Sequence, residues 1–159
     1  VEDPAEEFAH IAEEIARRAG ATGMTVAAAE SLTTGGISNA LGAAPEASEW
    51  YRGALVAYAE SVKREVLGVR ADSVNSTQCA RELATGVAKL LDADAAVAVT
   101  GVGGPEPDGD EPAGSVYAAV TVRGDIRDAH LRFEGEPSEV VHQTVRAALE
   151  MLRDALPSA

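Results

Sequence analysis

Two runs, Met24-Thr25-Val26-Ala27-Ala28-Ala29 and Ala95-Ala96-Val97-Ala98-Val99, carry no charge and stop after five or six residues. Runs this short read as strands rather than helices, and a strand apolar on both alternating faces must be covered on both sides. That requires a sheet with helices above and below it. Each run also empties into a turn of small polar residues. The first opens into Glu30-Ser31-Leu32-Thr33-Thr34-Gly35-Gly36, the second into Thr100-Gly101-Val102-Gly103-Gly104-Pro105.

The intervening segments supply the other layers. Phe8, Ile11, Ala12, Ile15 and Ala16 recur at helical spacing from about Pro4 to Ala19, with Gly20 as the expected stop. Ile37–Leu41 reads as a short helix, Tyr51–Tyr58 as a strand, and Ser61–Leu67 as a helix. Asn75 with Gln78 resembles a capping pair for a helix reaching Asp92, whose face holds Ala80, Leu83, Val87, Leu90 and Leu91. Val116–Val122 and Ile126–Phe133 alternate with period two about Arg123-Gly124-Asp125, a hairpin signal. Val140, Val141, Val145, Ala148, Leu149 and Leu152 mark a closing helix. The fold class expected is α/β, a three-layer α/β/α sandwich with a mixed, mostly parallel sheet of about five strands. Residues 1–159 are expected to form a single domain, with no internal repeat.

Composition narrows the partners. The 26 Asp+Glu against 13 Lys+Arg leave a formal charge of −13, which repels a phosphate backbone and argues against nucleic acid. Only Lys63 and Lys89 are lysines. An acidic, lysine-poor chain suits high salt, where screening removes self-repulsion; Ala- and Arg-rich coding from a high-GC genome produces the same bias, and both readings stay open. No apolar run is long enough to span a membrane, and the first residues are acidic rather than leader-like. Cys79 is the only cysteine, so an internal disulfide and a cysteine metal cluster are excluded. A cytoplasmic protein is expected.

Ligands of open α/β sheets sit beyond the carboxyl ends of the strands, which singles out Ser31–Gly36, Tyr58–Lys63 and Thr100–Pro105. The Ser31 turn can present hydroxyls and backbone N–H groups to an oxyanion, or it can be a plain helix cap. Lys63, kept in a chain nearly free of lysine, is either a base for Ser31 or a solvated helix residue. His10, His130 and His142 fall away from the strand ends, so a Ser-Lys dyad is the serine arrangement the layout supplies. For such chemistry the lysine pKa must fall from about 10.4, and burial is the expected cause. The Thr100–Pro105 loop matches neither a phosphate-binding Lys/Ser loop nor a dinucleotide fingerprint. Cys79 reads as a small buried residue, and the acidic stretch Glu106–Pro112 as a solvated loop rather than a cation site.

Taken in order, Ala-Glu-Ser before Thr-Gly-Gly, Tyr58 and Lys63 with Leu67-Gly68-Val69, Thr100-Gly101-x-x-Gly104-Pro105 and Pro112-x-Gly114-x-Val116 resemble the C-terminal domain of the CinA family of competence/damage-inducible proteins. The enzymatic members are nicotinamide-nucleotide amidohydrolases. The resemblance implies deamidation of nicotinamide mononucleotide to nicotinate mononucleotide and ammonia, with no metal or other cofactor, by a homo-oligomer. It implies Ser31 as nucleophile, Lys63 as base and Tyr58 as the residue orienting them. Thr33, Thr34, Gly35 and Gly36 would stabilise the oxyanion, and Thr100, Gly101, Gly103, Gly104 and Pro105 would hold the nucleotide.

The chain departs from that pattern in three places. Two residues rather than one separate Ser31 from Thr-Gly-Gly. Glu111 stands where the family often has lysine. The stretch Gly135-Glu136-Pro137 through Val141 has no arginine where the family commonly has two. A second expectation therefore stands beside the first: a scaffold that binds a ligand without turning it over.

Overall fold

The computed structural model describes residues 3–158; Val1, Glu2 and Ala159, the ends of the expected domain, lie outside the described residues. The chain opens with α1 (Pro4–Thr22), begun by Asp3, whose carboxylate accepts from the Ala5 N–H at 3.1 Å. It ends at Gly23, left-handed at φ 69°. Gly20, the expected stop, lies inside the helix, because the left-handed cap three residues later closes its last turn.

β1 (Val26–Glu30), β2 (Tyr51–Val56) and β3 (Ala95–Gly101) run parallel; β4 (Ser115–Val122) and β5 (Asp125–Arg132) add an antiparallel pair, giving the order β2-β1-β3-β4-β5. The β4–β5 turn is Arg123-Gly124, both at positive φ, as a two-residue hairpin requires. α2 (Gly36–Gly42) and a one-turn α3 (Ala47–Trp50) follow β1; α4 (Glu60–Leu67) and α5 (Thr77–Leu90) follow β2; α6 (Pro137–Ala155) closes the chain. The short α3 has no counterpart in the periodicity, which one turn cannot register.

The two buried runs do what their composition demands. On one face Val26, Val97, Val99, Val116 and Val120 meet α1, α2 and α6; on the other, Ala27, Ala29, Ala96, Ala98 and Ala119 meet α4 and α5. Valine against three helices and alanine against two is a difference of thickness. The alanine face has little side-chain volume of its own, so Leu83, Ala84 and Val87 of α5 fill the second core layer. α4 must fit beside α5 in that layer, and Gly86 permits it. A Cβ there would stand 2.2 Å from the Leu67 carbonyl oxygen at the end of α4.

One capping assignment changes. Ser76, not Asn75, begins α5, its Oγ accepting from the Cys79 N–H at 3.1 Å. Asn75 is released for another contact, described below.

Gly86→Ala is expected to lower stability by about 1–3 kcal/mol, because backbone rather than a flexible side chain must move. Chemical denaturation reads this as a lower midpoint with an unchanged slope.

Candidate active site

β1 ends in a carboxylate with no exposure at all: Glu30 is 0% accessible. The turn behind it supplies its partners. Thr33 Oγ1 donates to Glu30 Oε1 at 2.6 Å, the Ile37 N–H to the same oxygen at 2.9 Å, and the Ser38 N–H to Oε2 at 2.9 Å. Glu30 therefore reaches forward to the amino end of α2 and occupies its unpaired donors, where a negative charge is favoured. Within the turn the Thr34 N–H bonds the Ser31 carbonyl at 3.1 Å and the Gly36 N–H bonds the Thr33 carbonyl at 3.0 Å. The N–H groups of Leu32, Thr33 and Gly35 make none of these internal bonds.

The glycines serve this closure. Thr34 and Gly35 turn the chain at φ 43° and 102°. Gly36 lets α2 lie against α6: a Cβ there would be 2.9 Å from Val145 Cγ2. The segment Thr33–Gly36 thus positions Ser31 and does not itself line the cavity.

Register brings the strand ends together. Ala29 pairs with Ala98 and Glu30 with Val56, so two residues further on Ser31 lies level with Thr100, and Leu32 with Tyr58. From α4, Lys63 turns inward and is 3% exposed, which removes the reading of a solvated helix lysine. Its Nζ donates to the Tyr58 carbonyl oxygen at 2.9 Å. Burial pushes the Lys63 pKa below the ordinary lysine value, opposed by the neighbouring Cys79 and Glu60. Burial likewise pushes the Cys79 thiol up, to about 11, so it stays protonated and is not a thiolate nucleophile at neutral pH.

Tyr58 acts on the lysine through its backbone: its side chain is 68% exposed at the cavity mouth. The cavity, about 580 Å³, is lined by Ser31, Tyr58 and Lys63 with Thr100, Gly101, Gly103 and Gly104. Pro105 lies outside the lining. The Thr100 hydroxyl donates to the Val74 carbonyl, also in the cavity wall, at 2.9 Å.

Several wall residues carry no motif: Glu60, Asn75, Asp108, Pro137 and Val141. Asn75 Nδ2 donates to Asp108 Oδ2 at 2.8 Å, tying the acidic loop to the start of α5 across 33 positions. The sequence signal for these was the strand-end rule alone, which names turns and not the residues that fold over them.

A second serine arrangement also emerges. Ser115 Oγ donates to Glu111 Oε2 at 2.8 Å and meets His130 Nε2 at 2.8 Å, with His130 stacked on Tyr117 at 4.0 Å between ring centroids. His130 thus reaches a serine after all, because antiparallel β4 begins where β3 ends and β5 returns alongside it. The hydroxyl's single proton is committed to Glu111 and Ser115 is 1% exposed, so the group clasps the loop and offers no nucleophile. Glu111, in the place of the family's lysine, is part of that clasp.

A three-layer sandwich with a serine and a buried lysine facing one cavity beyond parallel strand ends defines a class of α/β proteins with strand-end sites. Comparison with known proteins narrows it: the model of the CinA C-terminal domain matches residues 8–156, and the chain belongs to that family. A CinA-like protein from Syntrophotalea carbinolica is 35% identical over 149 residues, 90% of this chain and 36% of that protein. Another from Dictyoglomus thermophilum is 35% identical over 84% of this chain and 34% of its own length. The chain thus spans about a third of the curated relatives it matches. A solved CinA superfamily protein from Klebsiella pneumoniae superposes with a TM-score of 0.89 at 35% identity, covering 98% of both chains. Among the described residues, no helix is long and apolar enough to cross a membrane.

Removing the Glu30 carboxylate strands three donors. Glu30→Ala is expected to cost about 3 kcal/mol or more in stability, read as a denaturation midpoint. Glu30→Gln, which keeps one acceptor, should cost less.

Proposed function

We propose that this chain is an amidohydrolase that cleaves the carboxamide of nicotinamide mononucleotide or a close pyridine relative, releasing ammonia, with Ser31 and Lys63 as the catalytic pair. The observation that carries this reading is the burial of Lys63 in the wall of the cavity that Ser31 also lines. Burial lowers the lysine pKa, so more of the amine is neutral at a given pH, the form a base needs. Donation of one N–H to the Tyr58 carbonyl holds the amine in the cavity wall, and in the neutral form its single lone pair is left to accept the serine proton.

In this mechanism Ser31 Oγ forms a bond to the amide carbon as its proton passes to Lys63 Nζ. The tetrahedral oxyanion is held by the backbone N–H of Leu32, the unbonded turn amide whose residue lines the cavity; one such donor is worth about 10²–10³ in rate. Lys63 then returns the proton to the departing nitrogen, the C–N bond breaks, and ammonia leaves. Water attacks the resulting ester with Lys63 again as base, which yields the carboxylic acid and restores Ser31. The sum is amide plus water giving acid plus ammonia, with no oxidant or cofactor. A homo-oligomer working in the cytoplasm completes the reading, on the family resemblance and the reduced Cys79.

An ammonia-release assay with nicotinamide mononucleotide, run at low and at molar salt, tests it. Ser31→Ala and Lys63→Met are each expected to abolish release. Lys63→Met should melt at the same temperature or higher, because it removes a buried charge. Turnover unaffected by either substitution would overturn the pairing. Absence of turnover in the native chain at both salts, with the mononucleotide and with its close pyridine relatives, together with a ligand-induced rise in melting temperature, would establish the binding-only alternative.

The lowered lysine pKa sets a pH profile. The base is inactive when protonated, so kcat should rise with pH through a midpoint below the ordinary lysine value of 10.5. A midpoint at or above the ordinary lysine value would show that Lys63 is not the base.

A further inference from the structure

The cavity wall and its approach carry one cation and several carboxylates. Lys63 is the only Lys or Arg in the lining, against Glu60 and Asp108. A groove of about 360 Å³ opens beside the cavity, sharing Glu60, Val74, Asn75 and Asp108 with it, and adds Asp72, Asp110 and Glu111 without any basic residue. From α6 the cavity receives Pro137 and Val141, both without charge.

These carboxylates are held, not loose. The backbone of Asp108 and Glu111 exchanges two hydrogen bonds, 2.9 and 3.0 Å, closing the loop about Gly109 and Asp110. Asn75 and Ser115 anchor its two sides. Their partners leave most of the negative charge standing. Asp108 accepts from a neutral amide, and Glu111 from the hydroxyls of Ser115 and Tyr117. Glu60 lies 3.6 Å from Arg64, whose guanidinium also donates to the Ala71 and Asp72 carbonyls, and Arg132 stands near enough to Tyr117, a donor to Glu111, to act on it electrostatically. The acids stand together at the mouth of the cavity as a group of like charges.

A substrate whose carboxamide sits at Ser31 extends outward through this mouth. A phosphomonoester there carries close to two negative charges at neutral pH and meets five carboxylates with no Lys or Arg besides Lys63 in the lining. A pyridinium ring with an uncharged sugar carries one positive charge and is attracted by them. From this we infer that the preferred substrate is a cationic pyridinium amide without a phosphate, the nucleoside rather than the nucleotide, with Asp108 and Asp110 as specificity-determining residues. The inference rests on the hydrolase reading for its chemistry, and on the charge of the cavity mouth for its choice of substrate.

The test measures ammonia release by the native chain with nicotinamide riboside, nicotinamide mononucleotide and uncharged nicotinamide, from the lowest salt that preserves the native circular dichroism upward. At low salt, kcat/KM for the riboside should exceed that for the mononucleotide by about tenfold or more. The ratio should contract toward one near 1 M salt, where screening shortens to about 3 Å. Replacing both Asp108 and Asp110 by asparagine should reduce the low-salt ratio about fivefold. A mononucleotide preferred or equal at low salt overturns the inference, as does a ratio indifferent to salt or to the double substitution. Nicotinamide turned over as well as the riboside overturns the cationic requirement. If no probe releases ammonia, the hydrolase reading fails and ligand-induced melting shifts decide the remainder. A larger rise with the riboside upholds the charge selection, and an equal or larger rise with the mononucleotide ends it.

Discussion

The carboxylate of Glu30 is the contact on which the site depends. A buried charge is tolerated only when its hydrogen bonds are complete, and here a threonine hydroxyl and two amides of α2 complete them. The chain between must fold so that all three donors converge on one strand-end side chain. Ser31, the next residue, has its backbone direction set by that convergence. Inside this arrangement the turn takes positive φ at Thr34 and Gly35.

This contact also revises what the turn is for. Hydroxyls and glycines before a helix suggest an anion site, and an anion is indeed bound at α2, but it is the protein's own. Gly36 is small because α6 presses on it, and Thr33 is polar because Glu30 needs a donor. Any oxyanion must use the amides that the closure leaves over. On the other side of the sheet the same economy of space operates: alanines on the strands and Gly86 on α5 let two helices share one layer, which carries Lys63 inward from α4.

The charge balance acquires a location. An excess of 13 negative charges spread evenly would affect solubility and salt tolerance alone. Five of the 26 acidic residues, Glu60, Asp72, Asp108, Asp110 and Glu111, line the cavity or the groove beside it, and the Asn75–Asp108 and Ser115–Glu111 bonds fix two of them there. Glu111 joins the loop to Ser115, Tyr117 and, through Ser115, to His130, so the acid that replaces a family lysine has acquired a structural partner set of its own.

Much of the fold was legible because it rests on local pattern. Runs apolar on both faces demanded a covered sheet, the period-two segments about Arg123-Gly124 demanded a hairpin, and the strand-end rule pointed to the turns containing Ser31, Lys63 and Thr100. Periodicity could not register the single turn of α3, and it chose the wrong one of two adjacent polar residues to cap α5. The burial of Lys63, the enclosure of Glu30, the withdrawal of Thr33–Gly36 from the cavity and the approach of His130 to Ser115 were decided only in three dimensions. Each depends on desolvation or on a partner from a distant element, and neither quantity is encoded in the spacing of neighbours along a chain.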